Sequence, residues 1–147
     1  MLWRRILAAG EVIGGLLALS AMIFAAQAAV QAGVSKSVLA AGIALDLLTL
    51  VAGITLWFRG TTGIVLSEIT LALQSVQVFT DRFMWQYVAG PAFLVQFIDG
   101  KLQWAGGLLS RHTFLPQGES TGASLNLIAI LALALLIFRF HLHDSDV

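Results

Sequence analysis

Three carboxylic acids lie inside long apolar stretches of the chain, and they are the first candidates for chemistry. They are Glu11, Asp46 and Glu68, and no lysine or arginine lies inside the same stretches to neutralise them. An acid in hydrocarbon must be protonated, paired or bound to a cation, so these residues predict a proton or cation site. The alternative is that they hydrogen-bond neighbouring helices, where each bond contributes about 0.6 to 2 kcal/mol.

The depths of the polar groups predict two layers. Counting about 1.5 Å per residue from the arginine-marked ends places Glu11 about 9 Å deep and Glu68 about 13 Å deep. The same count places Asp46 and Asn126 about 20 Å deep. We therefore expect the two glutamates to share a site, with Asp46 and Asn126 at the midplane, where Asn126 by itself favours a structural role.

A polar stripe runs along the apolar segment 61–81. Its members recur at spacings of three and four residues, which gathers them on one face of a helix. They are Ser67, Thr70, Gln74, Gln77 and Asp81. Because lipid would leave these groups unsatisfied, the stripe must face protein, water or a ligand. It either bonds the helices together or, from Ser67 to Gln77, lines a small cavity.

The composition is that of an integral membrane protein. The chain has 147 residues, of which 59% are hydrophobic and 11% are charged, with a mean hydropathy of +0.90. This balance excludes an ordinary soluble domain. The net charge of zero and the lack of a basic run argue against nucleic-acid binding, and the absence of cysteine excludes disulfides and thiolate chemistry.

At about 20 residues per crossing, the apolar segments fit four spans in a single domain covering 1–147. The predicted spans are 6–30, 38–58, 61–80 and 121–139, the last capped by Ser120 or Thr121. The predicted fold class is an all-α membrane protein, a bundle of four transmembrane helices. Small residues at helical spacing, such as Gly10 and Gly14, predict that the helices approach closely.

The long loop 81–120 between the third and fourth helices contains a predicted β-hairpin at 92–106. Asp99-Gly100 between two alternating runs is typical of a two-residue type I′ turn, which pairs Ile98 with Lys101. In that register one face of the hairpin is apolar and should lie against the bundle or the membrane. This face comprises Phe93, Val95, Phe97, Leu102 and Trp104.

The distribution of basic residues predicts the orientation. Arg4, Arg5, Arg59 and Arg139 mark the ends that four antiparallel spans place on one side, and Lys36 lies in the opposite short loop. By the positive-inside rule both termini are cytoplasmic and the hairpin is extracytoplasmic. We therefore predict a multi-pass protein of the cell inner membrane.

The ten-residue string ILAAGEVIGG, with Glu11 early in the first helix, is similar to the first helix of small multidrug resistance transporters. The resemblance implies that Glu11 binds drug or proton. The long third loop, the further acids and the polar third helix depart from that family.

The sequence favours a non-enzymatic interaction or assembly subunit that contacts the bilayer and either its own copies or a partner membrane protein. The alternative is a small oligomeric transporter or channel, coupled to protons or cations through Glu11 and Glu68. Neither catalysis, a metal site nor a cofactor is predicted, because there is no nucleophile motif and the histidines lie outside the spans. These are His112, His141 and His143.

Overall fold

A computed structural model describes residues 2–31, 33–58, 60–80, 84–115 and 121–142, with the backbone alone at 108–115 and 141–142. Predictions that depend on Arg59, Asp81, Ser120 or the tail beyond Leu142 lie outside these residues.

Two helices are long and apolar enough to cross a membrane, judged by length and composition. They are α1 (Leu2–Gln31) and α2 (Lys36–Phe58). They cross closely, because a Cβ atom on Gly15 would lie 2.8 Å from the Leu50 nitrogen, and one on Gly53 would lie 2.8 Å from the Ala8 carbonyl oxygen. Glycine at these two positions therefore permits the backbone contact, as the small-residue spacing suggested.

The predicted third and fourth helices are each part helix and part strand. The third segment forms α3 (Gly60–Ser75) and then β1 (Val76–Phe79). The fourth forms β4 (Gly122–Asn126), α4 (Leu127–Ile137) and a π-helical turn (Phe138–Leu142). Two further strands, β2 (Met84–Ile98) and β3 (Lys101–Leu115), lie between them. A bundle of four membrane-spanning helices is therefore not shown, and the chain is mostly helical with a small antiparallel sheet.

The helix prediction is wrong at 76–79 and 122–126 because these segments pair with each other. β1 and β4 are antiparallel, with Val78 opposite Ala123. The last helix begins after Asn126, whose side chain accepts a hydrogen bond from the Ala129 nitrogen. The N-cap of this helix is therefore Asn126 and not Thr121.

The predicted hairpin is confirmed and is longer than 92–106, because β2 and β3 pair from Met84 to Leu115. Ile98 lies opposite Lys101, as the turn chemistry requires. Asp99 and Gly100 have φ values of 50° and 76°, and positive φ at both central residues is the mark of a type I′ turn.

β2 curls around the pair formed by β1 and β4. Near its start Trp85 lies opposite Val78 of β1, and near its end Leu94 lies opposite Asn126 of β4. Because β1 and β4 run in opposite directions and β2 is antiparallel to both, β2 must reverse its direction between these pairings. The reversal contains Gly90, with a φ of 112° that favours glycine.

The bend of β2 packs against α1. A Cβ atom on Gly14 would lie 2.5 Å from the Ala89 carbonyl oxygen, and one on Gly90 would lie 3.3 Å from the Gly10 carbonyl oxygen. Gly14, one of the small residues that predicted a close approach of helices, thus makes room for a strand, whereas a Cβ atom on Gly10 would meet nothing within 4 Å.

The inner face of the sheet carries polar side chains among buried apolar ones such as Leu94, and the outer face is largely apolar. The buried inner positions include Gln77, Gln86, Gln96, Ser124 and Asn126. The exposed outer positions include Val76, Val78, Phe93, Phe97, Leu102, Trp104 and Leu125. The apolar face of the hairpin therefore points away from the helices, since Phe97 is 57% exposed and Trp104 is 75% exposed.

Candidate functional site

The carboxyl site comprises Glu11 on α1 and the hydroxyls of Ser67 and Thr70 on α3. Ser67 Oγ donates to Glu11 Oε2 at 2.7 Å, and Thr70 Oγ1 donates to Glu11 Oε1 at 3.1 Å. The two donors lie three residues apart on one face of α3, so each donates to a different oxygen of the Glu11 carboxyl group. Glu11 is only 4% exposed, so this pair of hydrogen bonds replaces water at a buried acid.

The structure brings Glu11 to two members of the predicted stripe. Glu68 follows Ser67 and lies about 100° further round the helix, where it is half-buried. The two hydrogen bonds of Glu11 come from hydroxyl groups of the stripe, and the sharing of one site by Glu11 and Glu68 stays a prediction.

Tyr87 of β2 is a buried polar residue that sequence reasoning missed. Its hydroxyl donates to the Leu45 carbonyl oxygen at 2.8 Å and is also hydrogen-bonded to the Thr49 hydroxyl. Because a phenol has one proton, Thr49 is the donor in the second bond. These bonds join β2 to the face of α2 on which Asp46 is fully buried. The alternation of aromatic residues from 83 to 87 is the sequence pattern from which a strand with a buried tyrosine could have been predicted.

The amide cluster, Gln74, Gln77, Gln86 and Asn126, lies between the helices and the sheet. Gln74 Oε1 accepts from the Ala89 nitrogen at 3.0 Å, and Asn126 Oδ1 accepts from the Phe93 nitrogen at 3.3 Å. Both donors lie at the bend of β2, where neither β1 nor β4 pairs with it. Pro91, between the two donors, has no N–H. The amides thus take the place of a neighbouring strand.

The other amides face each other inside the sheet. Gln86 Nε2 donates to Gln77 Oε1 at 3.2 Å. Within the described part of the chain, the NH₂ groups of Gln77 and Asn126 and the hydroxyl of Ser124 are buried without a hydrogen-bond partner. Gln77 and Ser124 lie opposite each other on β1 and β4. Buried donors in this arrangement suit an ordered water molecule.

A cavity of about 250 Å³ adjoins the carboxyl site. Its walls come from α1, α3, β2 and α4, and Glu11 and Gln74 are the polar side chains among otherwise apolar ones. Ile6 and Ile128, which are 64% and 43% exposed, also line it, so it lies close to the apolar surface between α1 and α4. Among the described residues there is no group of three or more side chains of the metal-ligating acidic, histidine or cysteine types.

The bridging role of Gln74 predicts that the same substitution has different effects on stability at a buried and at an exposed glutamine. Gln74→Leu removes the acceptor for the Ala89 nitrogen and should lower the free energy of unfolding by about 1 to 3 kcal/mol, because it leaves a buried donor unsatisfied. Gln103→Leu makes the same change at an exposed position and should have little effect. Denaturant titration in mixed micelles measures both variants, and equal losses would contradict the bridging role of Gln74.

No protein-family model matches this sequence, and no curated protein or solved structure shows significant similarity to it. The ten-residue similarity to small multidrug resistance transporters is therefore not accompanied by a family match.

Proposed function

We propose that this chain is a non-enzymatic, multi-pass subunit of the cell inner membrane that acts in interaction or assembly. The proposal rests on one observation: the buried polar groups hydrogen-bond the helices and strands to each other. The carboxyl site joins α1 to α3, and the amide cluster joins α3 and β4 to the bend of β2. The polar interior therefore supports the fold, and the exposed apolar surface remains for lipid or a membrane partner.

The lengths of the composite segments support four passages through the bilayer. α3 has 16 residues and β1 has four, which together span about 37 Å. β4 has five residues and α4 has 11, which together span about 33 Å. Both lengths exceed the hydrocarbon thickness of about 30 Å.

Aromatic contacts support a common side for the chain termini. The rings of Trp3 and Phe140 lie 5.6 Å apart, so the beginning of α1 lies beside the turn that follows α4. The Arg5 guanidinium lies 5.9 Å from the Trp57 ring, which brings the end of α2 to the same level. Arg4 and Arg5 make this the cytoplasmic side under the positive-inside rule.

The surface is apolar on the sheet as well as on the helices. Phe24 on α1 is 87% exposed and Leu131 on α4 is 62% exposed, while Phe97 and Trp104 are exposed on the sheet. Polar side chains on the inner face and large apolar side chains on the outer face are expected where hydrocarbon is the solvent. The bend of β2 meets Gly14, about 14 Å along α1 from Arg5, so we place the sheet in the outer half of the bilayer.

A second candidate function is a small oligomeric transporter or channel coupled to protons or cations. The cavity beside Glu11 and Gln74 favours it, because the carboxyl group lines a space that a small ligand or cation could enter. The two candidates differ in whether Glu11 has a role beyond its two hydrogen bonds.

The topology is testable because the chain has no cysteine of its own. Single cysteines in place of Lys36 and Lys101 should react with an impermeant thiol reagent from the extracytoplasmic side. A cysteine in place of Gly60 should react from the cytoplasmic side. Sided labelling of spheroplasts and inverted vesicles measures this, and labelling of positions 36 and 60 from one side would exclude the four passages.

The assembly role predicts protein neighbours at the apolar surface. A photoreactive amino acid in place of Phe97 or Ile69, both exposed, should give discrete protein adducts in native membranes. The same group in place of the buried Leu94 is the control and should give none. Gel analysis of the irradiated membranes measures the adducts. Adducts to lipid alone at both exposed positions would overturn the assembly role.

The two candidate functions make opposite predictions for Glu11→Gln. For an assembly subunit, the amide oxygen can still accept a hydrogen bond, so the free energy of unfolding should change by no more than about 1 kcal/mol. Proteoliposomes should then show no proton or alkali-cation flux above that of empty vesicles. A flux that the wild type supports and Glu11→Gln abolishes, with Glu68→Gln compared in parallel, would establish the transporter instead.

A further inference from the structure

Among the residues that the structure describes, no strand lies beside the outer edge of β3. The strand order is β1-β4-β2-β3, and within this part of the chain β3 pairs with β2 alone. Because Ile98 and Lys101 close a two-residue turn, they form a hydrogen-bonded pair, and such pairs alternate along the hairpin. The N–H and C=O groups of Leu102, Trp104 and Gly106 therefore point away from β2. No hydrogen bond from the described residues reaches them.

The backbone groups of β2 follow the same alternation of inward and outward directions. This alternation directs the N–H groups of Ala89 and Phe93 away from β3, and these two donate to Gln74 and Asn126. The inner edge of the hairpin is thus satisfied by strands and amides, while the outer edge is open.

The open edge lies among apolar side chains. Leu102 is 64% exposed and Trp104 is 75% exposed. In hydrocarbon, unsatisfied backbone groups cost several kcal/mol each, so a strand edge at this depth needs a partner.

The edge also lacks the features that keep edge strands apart. The segment from Leu102 to Ser110 contains no charged residue and no proline, and its pairing with β2 has no bulge. Natural edge strands are usually protected by such features. Gly106 and Gly107 have no side chain, which lets another backbone approach closely.

We propose that the open edge of β3 pairs with the same edge of a second copy of this chain. The proposal rests on the proposed placement of the sheet in the membrane. Antiparallel pairing about a two-fold axis makes the interface self-complementary. This pairing provides hydrogen-bond partners for the outward-pointing N–H and C=O groups of both β3 strands. It also places the two copies of Lys101 at opposite ends of the joined sheet, so that these like charges do not meet.

Cysteine cross-linking in native membranes tests the pairing. Single cysteines are placed one at a time at positions 102 to 107, so that the scan includes Gly106 and Gly107, and the membranes are oxidised. At least one position should give a covalent dimer, because directly opposed residues have Cβ atoms about 4.5 to 5.5 Å apart. The control is Val78→Cys on β1, which is also on the outer face but has strands on both sides. No dimer at any β3 position, or equal dimer at position 78, would overturn the proposal.

A pair of proline variants tests whether the outward-pointing backbone N–H groups of β3 are the ones that form the dimer. Leu102→Pro removes an outward N–H and should leave the hairpin intact while weakening dimerisation about tenfold. Gln103→Pro removes an N–H that pairs with β2 and should instead destabilise the monomer. Dimerisation that Leu102→Pro leaves unchanged, measured by dilution in lipid, would refute edge pairing.

A fluorescence experiment distinguishes failure of the edge pairing from failure of the proposed membrane placement. Quenching of Trp104 fluorescence by brominated lipid, in a protein with the other tryptophans replaced, reports whether the sheet lies in the bilayer. Strong quenching without dimer would remove the edge pairing and leave the membrane placement. Absence of quenching would remove the membrane placement itself, and edge pairing as proposed would fall with it.

Discussion

The structure depends on hydrogen-bond partners for the backbone of β2, a strand that bends sharply next to the long apolar helix α1. β2 reverses direction beside Gly10 and Gly14 of α1, and at this bend neither β1 nor β4 can pair with it. Water would satisfy the free N–H groups on a soluble protein, but it is scarce inside an apolar one. The amides of Gln74 and Asn126 perform this role, and Pro91 removes a donor that would otherwise need a partner. The fold thus requires polar side chains from α3 and β4 at fixed heights.

The need of a buried polar group for hydrogen-bond partners also explains the carboxyl site. Glu11 is the acid of α1 that faces the interior, and α3 provides it with two hydroxyls, on Thr70 and Ser67, about one and two turns before Gln74. The stripe on α3 therefore has a lower part, which binds an acid, and an upper part, which binds a strand. These uses follow from one helical spacing, because residues three and four apart share a face.

The local parts of this arrangement could be predicted from the sequence. The Asp99-Gly100 turn and its register depend on neighbouring residues, and the prediction is confirmed. The strand at 76–79 could not be separated from the preceding helix, because Val-Gln-Val-Phe fits both the end of an apolar helix and a short alternating strand. Its state is decided by pairing with β4, more than 40 residues later in the chain. The bonds of Tyr87 to Leu45 and Thr49 are equally non-local.

The polarity of the sheet links these observations to function. A hairpin that rests on a soluble core turns its large apolar side chains inward, whereas here Phe97 and Trp104 point outward and Gln96 points inward. The inward amides hold the strands to the helices, and large apolar side chains cover most of the outer surface, including Leu102 and Trp104 at the strand edge, with Gln103 exposed between them. Side chains can be satisfied by lipid, but an open backbone edge cannot, because lipid tails neither donate nor accept hydrogen bonds. A sheet with this polarity, placed in a membrane, is therefore complete only when another strand lies beside β3.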